Sequence, residues 1–267
     1  MPSLRVATYN IHKGVAAELF GFRRAATLHE LRRRLHELKA DLIFLQEVQG
    51  RHDRHARHIK HWPSESQEVF LAHGPQLRPV FESAYGRNAN YLHGHHGNAF
   101  LSRFPILRRD HLDVSDHVLE RRGVLHCVVG IDGVEVHCFV IHLGLLGSSR
   151  ERQVAALIAW IREVVPPSGP LLIAGDFNDW RHRLSDTLRE ALDVHECWST
   201  SQTSQTSQTG SRAARTFPAL FPWLQLDRIY QRGFAVEQVK VLQGSAWSRL
   251  SDHAPLVADL RPLVGAS

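Results

Sequence analysis

The sequence predicts a single layered α/β domain spanning residues 1–267. Short apolar runs of strand character occur in both halves of the chain, and amphipathic stretches at helical spacing lie between them. Polar or acidic residues recur where the apolar runs end, the pattern of packed sheets flanked by helices. With 267 residues, 43% hydrophobic and 22% charged, the chain is long enough for a substantial core. It contains no run near the roughly 20 apolar residues that a membrane-spanning helix requires.

Taken in order, Val6 to Ile11 is predicted as a buried first strand. Thr27 with Glu30 forms a capping-box pattern that opens a helix with Leu28, Leu31, Leu35 and Leu38 on its apolar face. The basic run Arg32-Arg33-Arg34 falls on this helix, where a solvated face explains it as well as a phosphate track does. Asp41 to Leu45 reads as a second buried strand ending in Gln46-Glu47, and residues 51–96, rich in His, Pro and Arg, are expected to be mostly loop. Asn98 to Ser102 is another strand, and residues 124–131 and 134–141 form a hairpin around the turn Asp132-Gly133. Ser148 with Glu151 is expected to cap a helix with Val154, Leu157, Ile158, Ile161 and Val165 as its core face, ended by Pro166-Pro167. Leu171 to Ala174 is a buried strand delivering Gly175-Asp176-Phe177-Asn178, and the closing strands carry Leu226 to Tyr230 and Leu256 to Leu260. The threefold Ser-Gln-Thr repeat at 201–209 is too polar to pack and is expected to form a flexible surface loop near 201–210.

A net charge of +5 favours anionic partners weakly. The start of the chain lacks the pattern of a signal peptide. Three cysteines, Cys127, Cys138 and Cys197, have no metal-ligand spacing and read as buried free thiols of a reducing compartment, so cytoplasmic residence is the default expectation. The histidine groups His52, His55, His58, His61 and His93, His95, His96 raise a zinc hypothesis. Neither group contains cysteine or a familiar spacing, and loop histidines are the preferred reading.

Six segments end an apolar run with acid, amide or imidazole: Asn10-Ile11-His12, Gln46-Glu47, Ile141-His142-Leu143, Gly175-Asp176-Phe177-Asn178, Leu226-Asp227 and Ser251-Asp252-His253. A single one is ordinarily a cap or a turn; six in one chain point to a site assembled from strand ends. Carboxylate and amide oxygens are hard ligands suited to Mg²⁺, which binds through one or two carboxylates and keeps several waters. Imidazoles complement such a site because they titrate near neutral pH.

In this order, and together with Leu-Ser-Arg-Phe-Pro-Ile at 101–106 and Ser-Asp-His-Ala-Pro at 251–255, the segments resemble the endonuclease/exonuclease/phosphatase superfamily. That superfamily includes deoxyribonuclease I, abasic-site endonucleases, neutral sphingomyelinases and inositol-polyphosphate phosphatases. The resemblance runs from about residue 5 to residue 260 and is nearest to an uncharacterised bacterial branch, through Ala84 to Asn88 and Gly94 to Ala99. It implies a four-layer α/β/β/α sandwich of two packed sheets, with the site at one edge. It implies that Asn10, Glu47 and Asp252 hold a divalent cation, Mg²⁺ with Mn²⁺ able to substitute. Asp176 would orient or deprotonate the attacking water, Asn178 would hold water or phosphate, and His253, steadied by Asp227, would bind phosphate or relay protons. His142 would be a second catalytic histidine, as in the deoxyribonuclease I and sphingomyelinase branches. A metal role for His12 does not follow, because the abasic-site enzymes carry an acid there.

Arg122 is a candidate phosphate contact, or else a salt-bridge partner of Glu120. Asn98 is a candidate for binding substrate or for shaping the site. The implied activity is metal-dependent phosphodiester hydrolysis, with DNA slightly ahead of phospholipid and a small phosphomonoester also open. The lipid alternative rests on Phe217 to Leu224, with Trp180 and Trp247 near other site motifs; a core-packing loop is the preferred reading of that segment. A binding protein that has lost catalysis is the remote alternative.

Overall fold

The computed structural model describes residues 3–15, 27–59, 62–74, 78–117, 120–199 and 213–263; the Ser-Gln-Thr repeat and His61 lie outside them. The chain runs through β1 (Leu4–Asn10), α1 (Leu28–Glu37), β2 (Leu42–His52), α2 (Asp53–His58), α3 (Gln67–Ala72), β3 (Glu82–Tyr91), β4 (Gly94–Ser102) and β5 (Ile106–Asp113). It continues with β6 (Gly123–Ile131), β7 (Val134–His142), α4 (Gly147–Val164), β8 (Leu171–Asp176), α5 (Ser185–Leu192) and β9 (His195–Glu196). It closes with β10 (Asp227–Arg232), β11 (Phe234–Val241) and β12 (Leu256–Pro262). One six-stranded sheet has the order β11-β12-β1-β2-β4-β3, the other β5-β6-β7-β8-β10-β9.

Period-two alternation along the inner strands builds the layers. In β2, Leu42 and Phe44 face a core that also holds Cys138 and Val140 of β7 and Leu172 and Ala174 of β8. The alternate residues Ile43 and Leu45 pack instead with Leu28, Leu31 and Leu35 of α1 and with Leu71 of α3. Likewise Phe139, Ile141 and Ile173 turn away from the inter-sheet core toward Val154, Leu157 and Ile161 of α4 and Leu188 of α5. The result is the expected four-layer α/β/β/α sandwich. All three cysteines are buried and free. No helix among the described residues is long and apolar enough to cross a membrane.

Several local expectations change. Residues 51–96 are not mostly loop: they hold the end of β2, helices α2 and α3, and β3. Neither capping box forms. Thr27 makes no side-chain cap, and the reciprocal bond is absent too, because the Thr27 N–H donates to Gly14 O and the Glu30 carboxylate is drawn off by Arg33 and Arg34. The second long helix starts two residues early, at Gly147, with Leu146 rather than Ser148 at its cap. The Asp132-Gly133 turn does form, with φ of 49° and 82°, as a tight hairpin of this hand requires.

One buried pair makes the fold acid-sensitive. His126 and His137 are 3% and 2% exposed and bonded Nε2 to Nδ1 at 3.1 Å; His126 stacks on Phe139 and meets Trp160 edge-on. Burial, then the neighbouring His137, pushes His126 down to about 4. The unfolded chain therefore takes up a proton near pH 6.5 that the folded chain refuses, so stability falls as pH drops from about 6.5 to about 4. The cost is on the order of 3 kcal/mol. Replacing His126 with Gln should make the pH dependence of the thermal midpoint shallower across that window, with the remainder carried by other buried histidines such as His142; an unchanged slope would assign the acid sensitivity wholly to those groups.

Candidate active site

The strand ends meet where the two sheets share an edge. Parallel pairing aligns Asn10 of β1 with Gln46 of β2, and His142 of β7 with Asp176 of β8; antiparallel pairing sets Asp227 of β10 beside Asp176. Gly175 permits that close packing: its φ is +153°, and an added Cβ would stand 2.0 Å from Ile141 O. Phe177 is buried in the helix-side core, and Asn178, at φ 50°, turns the chain back over the site.

Asp176, 1% exposed, is the hub. It accepts hydrogen bonds from Asn10 Nδ2 at 3.2 Å, across the gap between sheets, and from Asn178 N at 3.0 Å. His142 Nε2 lies 3.5 Å and His253 Nε2 3.7 Å from its Oδ2. His253 is held on its far side by Asp227 Oδ2, 2.8 Å from Nδ1. The loop that delivers it is pinned by Ser251, whose hydroxyl donates to Asn10 O at 2.6 Å and accepts from His253 N at 3.2 Å. Asn178 Nδ2 donates to Leu143 O at 2.9 Å.

The two imidazoles are driven apart in protonation. Burial pulls His253 down, but the charges of Asp227 and Asp176 and the bond to Asp227 outweigh it and hold the ring well above the ordinary histidine range. His142 goes the opposite way: burial, then repulsion from Arg122 and His253, lowers it well below its usual value. Burial raises Asp176 against the opposing pull of His253. An imidazolium and a neutral imidazole thus sit within 3.7 Å of the raised carboxylate of Asp176, a divided acid–base set around one point.

Glu47 stands at a bulge. The β2–β4 register shifts between Leu45 and Val48, and Glu47 has φ 56°, which turns its carboxylate out of the ladder. Its Oε2 is buried with no hydrogen-bond partner, and Lys13 Nζ lies 3.6 Å away. Asp252 pairs with His12 at 3.3 Å, and His12 N donates to Asn10 Oδ1 at 3.1 Å. Among the described residues no three His, Cys, Asp or Glu side chains gather in a cage. An orphaned carboxylate oxygen beside hard amide and carboxylate donors fits Mg²⁺, which needs few protein ligands.

A cleft of about 610 Å³ opens beside Glu47, lined also by Lys13, His96, Glu120, Arg122 and Leu145. Both readings of Arg122 meet there: it bonds Glu120 at 3.0 Å and Leu143 O at 3.1 Å while lining the cleft. Asn98 is fully buried, its amide bridging to Gly123 O at 2.8 Å and Val140 O at 3.1 Å, so it ties one sheet to the other behind the site.

The histidine groups are not confined to loops: His52 closes β2, His55 and His58 lie in α2, and His95 and His96 in β4. His52 and His55 stack at 3.4 Å. Trp247 is buried edge-on to Tyr9, whereas Trp180 is exposed. The core-packing reading of 217–224 fails at its tip, where Leu220, Phe221 and Trp223 are exposed.

The sequence reading passed over several residues that build the site. Thr216 Oγ1 accepts from Leu226 N and Asp227 N, and its carbonyl from Ala254 N, joining the two loops that carry Asp227 and His253. Arg228, fully buried, donates to Asp179 O and to Ser185 Oγ and braces the turn after Asn178. A charged residue predicted inside a buried strand was the available signal for Arg228; Thr216 had none.

Residues 7–253 match the Endonuclease/Exonuclease/phosphatase family. The chain is 42% identical over 260 residues to the uncharacterized protein YbhP of Escherichia coli strain K12, covering 97% of this chain and 96% of that one. Its fold resembles the mannosyl-6-phosphatase of Bacteroides thetaiotaomicron, with TM-score 0.70, 19% identity and coverage of 97% and 99%. It also resembles TDP2 of D. rerio complexed with a single-strand DNA product, with TM-score 0.66, 15% identity and coverage of 98% and 100%.

Proposed function

The chain belongs to the endonuclease/exonuclease/phosphatase family, and we propose that it is a Mg²⁺-dependent phosphodiesterase in which Asp176 activates the attacking water. Membership supports a metal-dependent phosphoester hydrolase. The observation that carries the finer reading is the convergence of Asn10, His142, Asn178 and His253 on the single carboxylate of Asp176.

Glu47, Asn10 and Asp252 would hold the cation. When bound, Mg²⁺ (or Mn²⁺ in its place) polarises a phosphoryl oxygen and stabilises charge on the leaving oxygen. The chain's own groups do the rest. Asp176 accepts a proton from water, oriented by the side chain of Asn178. His253, kept as imidazolium by Asp227, donates to a phosphoryl oxygen as negative charge builds there. His142, neutral beside it, supplies a second hydrogen bond and a path for the proton. Arg122 and Lys13 draw the anionic substrate into the cleft. Asn98 keeps the sheets in register behind it. The net charge of +5 favours a polyanion, DNA among them.

Hydrolysis of bis-p-nitrophenyl phosphate beside p-nitrophenyl phosphate, with Mg²⁺, Mn²⁺ or chelator, is the direct test. Diester turnover abolished by chelator is expected. A preference for the monoester would transfer the chain to phosphatase chemistry, and no metal dependence would sink the reading. Glu47→Gln should raise the Mg²⁺ concentration for half-maximal activity about tenfold or more, because it removes a charged first ligand. An unaltered midpoint would move the metal elsewhere.

A further inference from the structure

The edge of the second sheet that carries the site also carries most of the exposed apolar bulk. Leu145 (60% exposed) and Leu146 (58%) follow β7, Trp180 (46%) follows β8, and Leu220 (70%), Phe221 (80%) and Trp223 (61%) precede β10. These are six of the eleven exposed large hydrophobic side chains among the described residues, on three loops of adjacent strands. The same three strands hold His142, Asp176 and Asp227 side by side.

The loops are joined to the site, not merely near it. Leu145 and Leu146 line the cleft that Glu47 and Arg122 share, and with Trp180, Arg181 and Arg183 they line a second hollow of about 220 Å³. On the other flank the Phe217 ring lies 5.0 Å from that of His253, and Ala219 N donates to Asp252 O at 2.6 Å. The stem of this loop is therefore fixed against the site while Leu220, Phe221 and Trp223 stand in water at its tip.

Arginines flank the apolar tips. Arg181, Arg183 and Arg215 are exposed and make no ion pair among the described residues. Exposed apolar and aromatic tips beside unpaired arginines are the composition of a surface that enters the headgroup layer of a bilayer and meets its phosphates. A soluble phosphoester gives no reason to hold such side chains out around the cleft. A single-stranded nucleic acid would stack bases on the aromatic faces of Trp180, Phe221 and Trp223 but would leave Leu145, Leu146 and Leu220 without a function.

We propose that this edge docks on an anionic phospholipid surface and that the substrate is a phospholipid phosphodiester presented there, an inference that rests on the phosphodiesterase reading above. Water oxygen bonds to phosphorus, one P–O ester bond breaks, and the departing alkoxide takes a proton, leaving a phosphomonoester and an alcohol.

The full chain is mixed with vesicles of phosphatidylcholine alone, or of phosphatidylcholine with phosphatidylglycerol, and the bound fraction is measured by sedimentation. Binding to the anionic vesicles is expected. The double variant Phe221→Ser/Trp223→Ser should lower partitioning about tenfold or more with its thermal midpoint retained, since both side chains already lie in water. Arg181→Gln/Arg183→Gln should weaken binding to the anionic vesicles and abolish the preference for them. Wild-type protein left in solution, an unaffected Phe221/Trp223 variant, or loss of single-stranded DNA binding in that variant with no vesicle binding would each overturn docking. Docking without Mg²⁺-dependent release of a lipid phosphomonoester would overturn the substrate assignment. Partitioning needs no turnover, so bis-p-nitrophenyl phosphate hydrolysis without vesicle binding condemns this inference alone, and vesicle binding without diester hydrolysis condemns the phosphodiesterase reading.

Discussion

Asp176→Asn is expected to lower kcat by about 10³- to 10⁴-fold while moving the thermal midpoint by no more than about 4 °C. The activity loss follows from position: the carboxylate is 1% exposed and faces both His142 and His253, so no other acid replaces it. The small stability effect follows from opposing contributions. An amide removes the penalty of burying a charge and the repulsion from Asp227. It also forfeits the attraction of His253 and sets one donor against Asn10 Nδ2, 3.2 Å away. Turnover of a diester beside a thermal melt separates the two. Near wild-type turnover would remove Asp176 from the chemistry, and a large drop in midpoint would make it a structural residue.

How far the fold could be read from the sequence depended on where each strand lies in its sheet. The eight inner strands were legible as apolar runs, because both of their faces are covered. The four that escaped notice, β3, β5, β9 and β11, are the four sheet edges. β5 reads Ile-Leu-Arg-Arg-Asp-His-Leu-Asp and is almost wholly exposed, so nothing in its composition separates it from a polar loop. Charged edges of this kind block pairing with other chains, and the same property erases the strand signal. The first helix cap failed for a different reason: a local pattern, Thr27 with Glu30, lost to the nearby charges of Arg33 and Arg34.

The candidate site was legible where chemistry sits at the ends of inner strands, since a polar residue there interrupts an apolar run. Asn10, His142, Asp176 and Asp227 are of this kind, and the structure brings them together. What could not be read is what holds them. Thr216 joins two loops through its hydroxyl and carbonyl, Ser251 reaches across to Asn10, and Lys13 meets Glu47 only because β2 bulges. Thr216 joins segments of the two packed sheets, and the other two contacts tie neighbouring strands of the first sheet; none leaves a mark in the local sequence. The exposed tip at Leu220, Phe221 and Trp223 was misread for a related reason: an apolar segment is ordinarily buried, and only the anchoring of Phe217 and Ala219 to the site turns its tip outward.

Asp227 and His253 are expected to act as one unit, so that removing both costs little more than removing either. His253→Ala should lower kcat about 10³-fold and Asp227→Asn about 10²- to 10³-fold, with the double variant close to the worse single one. The bond between them is 2.8 Å, Asp227 is fully buried, and Asp227 is the largest of the influences that hold His253 charged against burial. In Asp227→Asn the largest opponent of burial is gone while Asp176 and Asp252 still attract the ring, so it loses its proton at a lower pH. The alkaline limb of kcat/KM should therefore move down in pH relative to wild type. Stability follows the same sign. A histidine raised in the folded state stabilises it fully below the unfolded value near pH 6.5, and that contribution is lost as pH climbs through the raised folded value. Asp227→Asn should accordingly cost on the order of 3 kcal/mol at pH 6, with the deficit shrinking toward alkaline pH. Additive losses in the double variant, or an alkaline limb that stays in place, would mean that Asp227 only fills space behind the ring.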